Sequence, residues 1–363
     1  MKKYYGFILL TIFMLFCSCG EKEVEFDYSI LSEFYFKVER KDISIIGVKD
    51  KEVEEIKIPE GVTKIETSAI YSCDNLKRVY IPSTVDYINP KCYWSCELLE
   101  EFVIDENNER YKSIDGNIYS KDGTEFIRYM MGKKEENVTI TGVKEIGDYA
   151  FWNIDSIKSI SIGEGVEKIG IQSFCSCPFL ENILLPESMV EIHDQAFVGT
   201  WIKEINIHKN VSKIGKEVFR NCKKLENINV SGDNPYYCDV DGVLFNKDVT
   251  ELYAYTYGKM IDVYQVPDTV KEIKDHAFSL EGFFEFDIDV IIPKTTKTIG
   301  ETIYDSYGHY YYITFFYLGD YKDMYFSDLK LDNIFIFCYS ETDIACWSFD
   351  ENGKPMVHYK EDE

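Results

Sequence analysis

Residues 56–76 read IKIPEGVTKIETSAIYSCDNL, and this pattern recurs along most of the 363-residue chain. The next copy, residues 79–99, reads VYIPSTVDYINPKCYWSCELL, and further copies begin at residues 138, 160, 183, 205, 264 and 290. A typical copy has alternating apolar residues, a Pro or Gly turn, a V-x-x-I step, an Ala-Phe pair and a Cys before Leu. A unit this short cannot bury its own apolar side, so we expect neighbouring copies to stack as a solenoid.

The copies are evenly spaced except at two insertions. The first apolar residue of V-x-x-I falls at Val62, Val85, Val143, Val166, Met189, Val211 and Val270. Successive gaps are therefore 23, 58, 23, 23, 22 and 59 residues, and each long gap is one repeat plus about 35 residues. The insertions, about residues 105–137 and 231–262, match each other at a constant offset of 126, as Asp115-Gly116 and Asp241-Gly242 do. An Asp-Gly pair between alternating aromatic and apolar residues is typical of a β-hairpin or short meander, so we expect both insertions to protrude.

The I-x-I segment of each copy predicts a short strand with one buried face. Stacked copies would place these strands about 4.8 Å apart in one long parallel sheet. Alternation then assigns an outward row of side chains: Arg78, Tyr80, Glu101, Ser159, Ser161, Asn182, Glu204, Asn206, Asn227, Asn229 and Gln265. We take this row as the candidate binding face; a merely solvated sheet face is an equally open alternative.

These features resemble the BspA-type bacterial leucine-rich repeats. The match rests on the A-F-x-x-C-x-x-L segment, the I-P turn and the twin D-G-x-x-[YF] insertions, and it covers about residues 35–359. The resemblance implies a β-rich repeat solenoid with one long parallel sheet, two inserted β-hairpins and β-rich caps. It also implies a tether and N-terminal capping hairpin over residues 19–50, a solenoid over residues 51–307 and an aromatic-rich C-terminal cap over residues 308–363.

Composition excludes several classes of function. Lys and Arg sum to 39 and Asp and Glu to 64, a net charge of −25 that would repel nucleic acid and anionic lipid alike. The five His lie at least 15 residues apart, which removes helical His pairs as metal ligands. No G-x-S-x-G and no Gly-rich phosphate loop occurs. We therefore expect no catalytic site, no metal and no cofactor.

The N-terminal sequence predicts export of the protein. Two lysines precede an apolar run over residues 6–16, which suits a signal-peptide core and is too short to span a bilayer. The run ends at Cys17-Ser18-Cys19, which resembles a bacterial lipoprotein signal peptide over residues 1–18, with the lipid on Cys19 because a small residue precedes it. An ordinary secretory signal is the alternative.

The acidic residues that follow bear on the final location. Glu21, Glu23 and Glu25 resemble the surface-export signal of Bacteroidetes lipoproteins, and a solvated tether explains them equally well. We expect the protein to be lipid-anchored in the outer membrane, and displayed at the cell surface.

Nine of the eleven cysteines lie beyond the signal region. Four of them precede a Leu by three residues, namely Cys73, Cys96, Cys177 and Cys222. Cysteine is among the most buried residue types, so we expect these four to form a structural ladder of small interior side chains. Whether Cys338 and Cys346, near the C-terminus, form a disulfide remains open.

The sequence as a whole favours a non-enzymatic surface lipoprotein whose solenoid binds a macromolecule. The resemblance implies adhesion to a host or microbial surface protein or glycan. One alternative is a periplasm-facing scaffold of the envelope. Another is a glycan-capturing protein that uses the tail at residues 304–326, where 11 of 23 residues are Tyr or Phe.

Overall fold

The computed structural model describes residues 27–259, 261–278, 288–300 and 313–319, together with the strand backbones 325–326, 335–338, 345–349 and 355–359. The predicted signal peptide and Cys19 lie outside the described residues, as do the side chains of Cys338 and Cys346. Among the described residues, no helix has the length and apolar character needed to cross a membrane.

Each repeat forms one coil that contributes a longer and a shorter strand, and the coils stack in parallel. The long-strand ladder comprises Glu55–Lys57, Arg78–Ile81, Glu101–Ile104, Asn137–Ile140, Ser159–Ile162, Asn182–Leu184, Glu204–Ile207, Asn227–Val230, Val263–Gln265, Ile288–Ile292, Ile313–Tyr317 and Phe335–Cys338. The short-strand ladder comprises Lys64–Ile65, Tyr87–Ile88, Glu145–Ile146, Lys168–Ile169, Glu191–Ile192, Lys213–Ile214, Glu272–Ile273, Thr298–Ile299 and Tyr325–Phe326. A third side carries the short pair Ile70–Tyr71 and Tyr93–Trp94. This arrangement confirms the predicted β-rich solenoid.

The predicted long sheet is divided into segments of three, three, two and four strands. Two divisions fall at the insertions, where the chain leaves the coil before the next long strand can form. The third lies between Asn182–Leu184 and Glu204–Ile207, where the repeat is 22 residues long instead of 23. The following strand keeps the same alternation, with Ile205 buried between the exposed Glu204 and Asn206, so the ladder is interrupted there without a change of face.

Both insertions are three-stranded antiparallel meanders that rejoin the short-strand ladder. The first consists of Tyr111–Ile114, Asn117–Ser120 and Glu125–Arg128, and the second of Tyr237–Val240, Val243–Asn246 and Glu251–Ala254 followed by the 3-10 turn Tyr257–Lys259. Their last strands pair in parallel with Glu145–Ile146 and Glu272–Ile273, so each meander substitutes for part of a coil.

The N-terminal end of the solenoid is covered by an antiparallel hairpin. A 3-10 turn at Tyr28–Leu31 leads into strands Phe34–Glu39 and Asp42–Val48. The second strand pairs in parallel with Lys64–Ile65, so the hairpin occupies the place of a preceding coil.

The C-terminal boundary differs from the prediction. We expected the solenoid to end at residue 307, but the long-strand ladder continues in parallel through Ile313–Tyr317 and Phe335–Cys338. Phe315, Phe316 and Tyr317 are buried, so part of the aromatic tail supplies a further rung of the ladder. Strands Ala345–Phe349 and Pro355–Tyr359 then form an antiparallel pair.

The interior is organised around the Ala-Phe position of each coil. Phe126, Phe151, Phe174, Phe197 and Phe219 stack along the solenoid axis with ring centroids 5.0 to 5.9 Å apart. Rings in neighbouring coils therefore contact each other nearly face to face, and each buries a large apolar area.

Backbone hydrogen bonds on either side of these rings join neighbouring coils. The amides of Gln172, Phe174 and Ser176 donate to carbonyls of the next coil at 2.8 to 3.0 Å. Gln172 and Ser176 have φ values of 52° and 59°, in the left-handed region. Non-glycine residues reach that region only at a cost, which the hydrogen bonds between coils offset.

We predict that Phe174→Ala lowers the free energy of unfolding by about 3–5 kcal/mol, because it removes a fully buried ring from the stack. Phe179→Ala, five residues away, is the matched control, since this ring is 46% exposed and its loss should cost less than about 1 kcal/mol. Urea denaturation followed by circular dichroism measures both. Equal losses in the two variants would contradict the role of the stack.

Candidate binding face

The long-strand ladder presents the predicted outward residues to solvent. Arg78, Asn182 and Asn206 are exposed, whereas their strand neighbours Val79 and Ile205 are fully buried. The rest of the predicted row is exposed or half-buried: Tyr80, Glu101, Ser159, Ser161, Glu204, Asn227, Asn229 and Gln265.

The sheet segments group this row into four patches. Arg78, Tyr80 and Glu101 share the first segment, and Ser159, Ser161 and Asn182 share the second. Glu204, Asn206, Asn227 and Asn229 share the third, in which the amide of Asn229 donates to the amide oxygen of Asn206 at 3.1 Å. Gln265 lies in the fourth segment, beyond the second insertion. The predicted face is therefore a series of short polar patches instead of one continuous strip.

Arg78 joins three successive coils. Its guanidinium donates to Glu101 in the next coil and to Glu55 in the preceding coil, the latter at 3.3 Å. The hydrogen bonds to Glu101 and Glu55 raise the pKa of Arg78. Since the Arg78 side chain is 49% exposed, we expect these pairs to position the guanidinium more than they stabilise the fold.

A second charged row, which the sequence reasoning missed, runs along the start of the long strands. Its members alternate in sign: Glu54, Lys77 and Glu100 before the first insertion, then Glu136, Lys158, Glu181, Lys203 and Glu226. Lysine-to-glutamate distances to the preceding coil are 2.9, 2.7 and 2.6 Å. The hydrogen bond from Lys203 lowers the pKa of Glu181. Aligning the repeats one residue before each strand would have revealed the alternation.

A cavity of about 470 Å³ opens where the first insertion meets the sheet. Its walls carry both signs of charge and consist of Arg78, Glu100, Glu101, Asp115, Gly116, Gly132, Lys133, Lys134 and Glu135. The hairpin turn is fixed over the end of the sheet, because the Phe102 amide donates to the Gly116 carbonyl at 2.9 Å. A Cβ atom on Gly116 would lie 2.7 Å from the Glu100 carbonyl oxygen, so the turn approaches the coil more closely than other residues allow.

The second insertion differs at the lysine that lines this cavity. Lys259, the counterpart of Lys133, donates from its Nζ to the carbonyl of Asp241 in the hairpin turn. Lys133 instead lies 3.9 Å from Glu135 and 5.7 Å from the ring centre of Tyr129. The two insertions thus place equivalent lysines differently, although they match at a constant offset of 126.

A buried asparagine anchors each insertion to the solenoid. Asn108 donates to the carbonyls of Pro82 and Val85 at 2.9 Å and accepts from the amides of Arg110 and Tyr111. Its counterpart Asn234 makes the same four bonds, to His208, Val211, Tyr236 and Tyr237. Both asparagines are 0% exposed. The offset of 126 that relates the insertions also relates these two residues, and it is the signal that could have identified them.

Most tyrosines of the insertions face inward, whereas Tyr236 is 52% exposed. Tyr129, Tyr237 and Tyr255 are at most 8% exposed, and the hydroxyls of Tyr111 and Tyr237 accept from the amides of Ile88 and Ile214 at 3.0 Å. They build the meanders and do not form an exposed aromatic platform.

The four ladder cysteines lie in the interior with relative exposures of 0 to 3%. The thiols of Cys177 and Cys222 donate to the carbonyls of Phe151 and Phe197 in the preceding coils, at 3.0 and 3.1 Å. Burial raises the pKa of each of these two thiols to about 12. In the described part of the chain, no group of three or more His, Cys, Asp or Glu side chains is arranged to hold a metal ion.

The repeats of this chain match a known family. The model of the BspA type leucine rich repeat region matches six copies, over residues 22–130, 144–236 and 234–354. The chain therefore belongs to the BspA-type leucine-rich repeat family.

Several solved structures are similar to this chain. A leucine rich cell surface protein from Faecalibacterium prausnitzii is 22% identical, with 74% of this chain and 70% of that chain covered and a TM-score of 0.42. The pneumococcal vaccine antigen PcpA is 22% identical, with 78% and 68% covered and a TM-score of 0.45. A leucine-rich repeat protein from Bacteroides ovatus is 17% identical, with 88% and 79% covered and a TM-score of 0.30. No curated protein sequence matches the chain.

We predict that Asn108→Ala lowers the free energy of unfolding by about 2–4 kcal/mol, because two buried carbonyls and two amides lose their partner. Amide hydrogen exchange at Arg110 and Tyr111 should accelerate, and trypsin should cut the first insertion faster. The control is Asn107→Ala, since this exposed neighbour bonds only to Asp105. Unchanged exchange in Asn108→Ala would show that the insertion is held by other contacts.

Proposed function

We propose that this protein is a non-enzymatic lipoprotein, anchored in the outer membrane through Cys19 and displayed at the cell surface, that binds another protein. The observation that carries the proposal is the charged cavity of the first insertion, which opens beside Arg78 and Glu101 on the outward row. Fixed charges of both signs on a rigid surface favour a partner with a complementary charge pattern.

The composition of the face favours a protein over a sugar as the partner. Polar and charged side chains dominate the face, and Val103 and Leu184 add exposed apolar contacts of 36% and 59% relative exposure. Interfaces between proteins combine such apolar contacts with a polar rim. Sugar recognition would favour exposed rings, whereas the aromatic residues of the insertions are mostly buried.

The solenoid scaffold supports the binding role. Successive coils repeat the same outward positions, and rigid elements present a constellation of side chains more accurately than loops do. The proposal of lipid anchoring and export rests on the N-terminal sequence alone, where Ser18-Cys19 follows an apolar run.

Protease treatment of intact cells tests the location. We predict that an antibody against the repeats loses its signal when protease is added, without lysis, because the solenoid projects outward. A periplasmic protein serves as the control for membrane integrity and should survive. If the repeats survive until the outer membrane is permeabilised, surface display is wrong and a periplasm-facing scaffold is favoured.

Charge reversal tests the binding face. The purified chain from residue 20 onward is screened against immobilised host and microbial surface proteins, with a glycan array in parallel. For any protein partner found, we predict that Arg78→Glu combined with Asn182→Ala weakens binding at least tenfold, which corresponds to about 1.4 kcal/mol.

The control for this variant is Lys216→Glu, which also replaces a positive by a negative charge, at a side chain that is 74% exposed. Its affinity should match that of the unmodified chain. Equal weakening in both variants would indicate a long-range charge effect, and unchanged binding in the face variant would exclude this face. Glycan binding without any protein partner would favour the glycan-capturing alternative.

A further inference from the structure

Cys73 and Cys96 occupy the same position in two successive coils. The strands that precede them are in parallel register, with Ile70 opposite Tyr93 and Tyr71 opposite Trp94. Among the four ladder cysteines, only Cys73 and Cys96 lie in adjacent coils. Cys177 and Cys222 are separated by the coil that carries Thr200. Two thiols therefore face each other across one step of the solenoid.

The stacking distance suits a disulfide. Neighbouring strands lie about 4.8 Å apart, and disulfide-bonded cysteines have Cα atoms roughly 4.4–6.8 Å apart. The Cys96 thiol reaches the coil of Cys73, where it lies 3.7 Å from the Ile70 carbonyl oxygen, and the Cys73 thiol lies 3.5 Å from the Tyr71 carbonyl oxygen of the same coil. At the equivalent step between Thr200 and Cys222, the side-chain oxygen and sulfur lie 3.4 Å apart, so side chains at this position meet across coils.

A buried ammonium group lies beside this pair. The Nζ of Lys51 lies 4.0 Å from the ring centre of Tyr71 and has no hydrogen-bond partner among the described residues. The positive charge of Lys51 favours the thiolate form of Cys73. Because the thiolate is the reactive form, Cys73 is the better nucleophile of the pair.

We propose that Cys73 and Cys96 form a disulfide in the exported protein, which joins the first two coils covalently. During folding, before the two thiols are buried, the Cys73 thiolate attacks a disulfide of an exported oxidant, such as a thiol oxidoreductase, and releases one of its thiols. Cys96 then loses its proton and attacks the mixed disulfide, so the Cys73–Cys96 bond forms and the second thiol of the oxidant leaves. The two cysteines lose two electrons and two protons, and one disulfide of the oxidant is reduced to two thiols.

The proposed bond lies in the first coils of the solenoid. It would close a loop with 22 intervening residues at the end of the solenoid that adjoins the tether. The inference rests on the export proposed above, since disulfides persist in oxidising compartments. It adds a covalent link at the end where a solenoid has fewest neighbouring coils to hold it.

Thiol trapping tests the pair in the full chain. Cells are lysed in denaturant that contains N-ethylmaleimide, so that buried free thiols are labelled, and the protein is digested with trypsin without reduction. Trypsin releases residues 65–77, which contain Cys73, and residues 92–110, which contain Cys92 and Cys96. We expect these peptides to be joined, at the summed mass less two hydrogens plus one N-ethylmaleimide on Cys92. Chymotrypsin then cuts after Tyr93 and Trp94 and assigns the bond to Cys96.

Cys177 and Cys222 are internal controls and should carry the maleimide label. Reduction should then accelerate tryptic cleavage at Lys77, on the order of 100-fold, in the unmodified protein and in Cys177→Ser. Cys73→Ser should lose this sensitivity to reduction. Full labelling of Cys73 and Cys96 in a protein that is removed by surface protease would overturn the inference.

A test with purified protein separates this inference from export. The reduced, unfolded chain is refolded in the presence of oxidised glutathione, and the expected result is the loss of two titratable thiols at Cys73 and Cys96. Disulfide formation there, with labelled thiols in cells, would contradict export to an oxidising compartment but support the pair. Failure to oxidise during refolding of the purified protein would overturn the pair whatever its location.

Discussion

Every feature of this molecule depends on the stacking of one coil on the next. The backbone amides of one coil bond to the carbonyls of its neighbour, and rings such as Phe151, Phe174 and Phe197 meet along the axis. Both interactions require a nearly constant repeat of 22 or 23 residues. The outward face, the charged rows and the cysteine pair then follow as consequences of one side chain being placed over its equivalent in the next coil.

The solenoid could be predicted from sequence because its cause is periodic. The alternation of I-x-I defines the strands, and the constant spacing defines their stacking. The interruptions were harder to predict, because they depend on single events such as the repeat of 22 residues before Glu204–Ile207. The predicted C-terminal end of the solenoid was wrong because aromatic residues are equally suited to a terminal cap and to a further strand of the ladder. Phe315 and Phe316 lie in such a strand and are buried.

The exposed face of the long-strand ladder was predicted in part. Alternation correctly assigned which side of each strand is exposed, since that depends only on the strand period. The cavity could not be foreseen, because it lies between the first insertion and the sheet and depends on side-chain directions that the repeat does not specify. Lys259 reaches the turn of its insertion whereas Lys133 does not, and nothing in the local sequence period distinguishes them. Asn108 was missed for another reason: its role depends on carbonyls from a coil 23 to 26 residues earlier.

Because charges alternate along the row from Glu136 to Glu226, the pairing of these charges depends on whether an odd or an even number of coils is lost. Loss of a single coil would bring Glu136 against Glu181, two like charges at a spacing where opposite charges now pair. Loss of two coils would restore the alternation, with Glu136 against Lys203. Each exposed pair contributes little to stability, but the mismatch would favour changes in length by two coils at a time. Such a row would allow repeat number to evolve in even steps while discouraging odd ones.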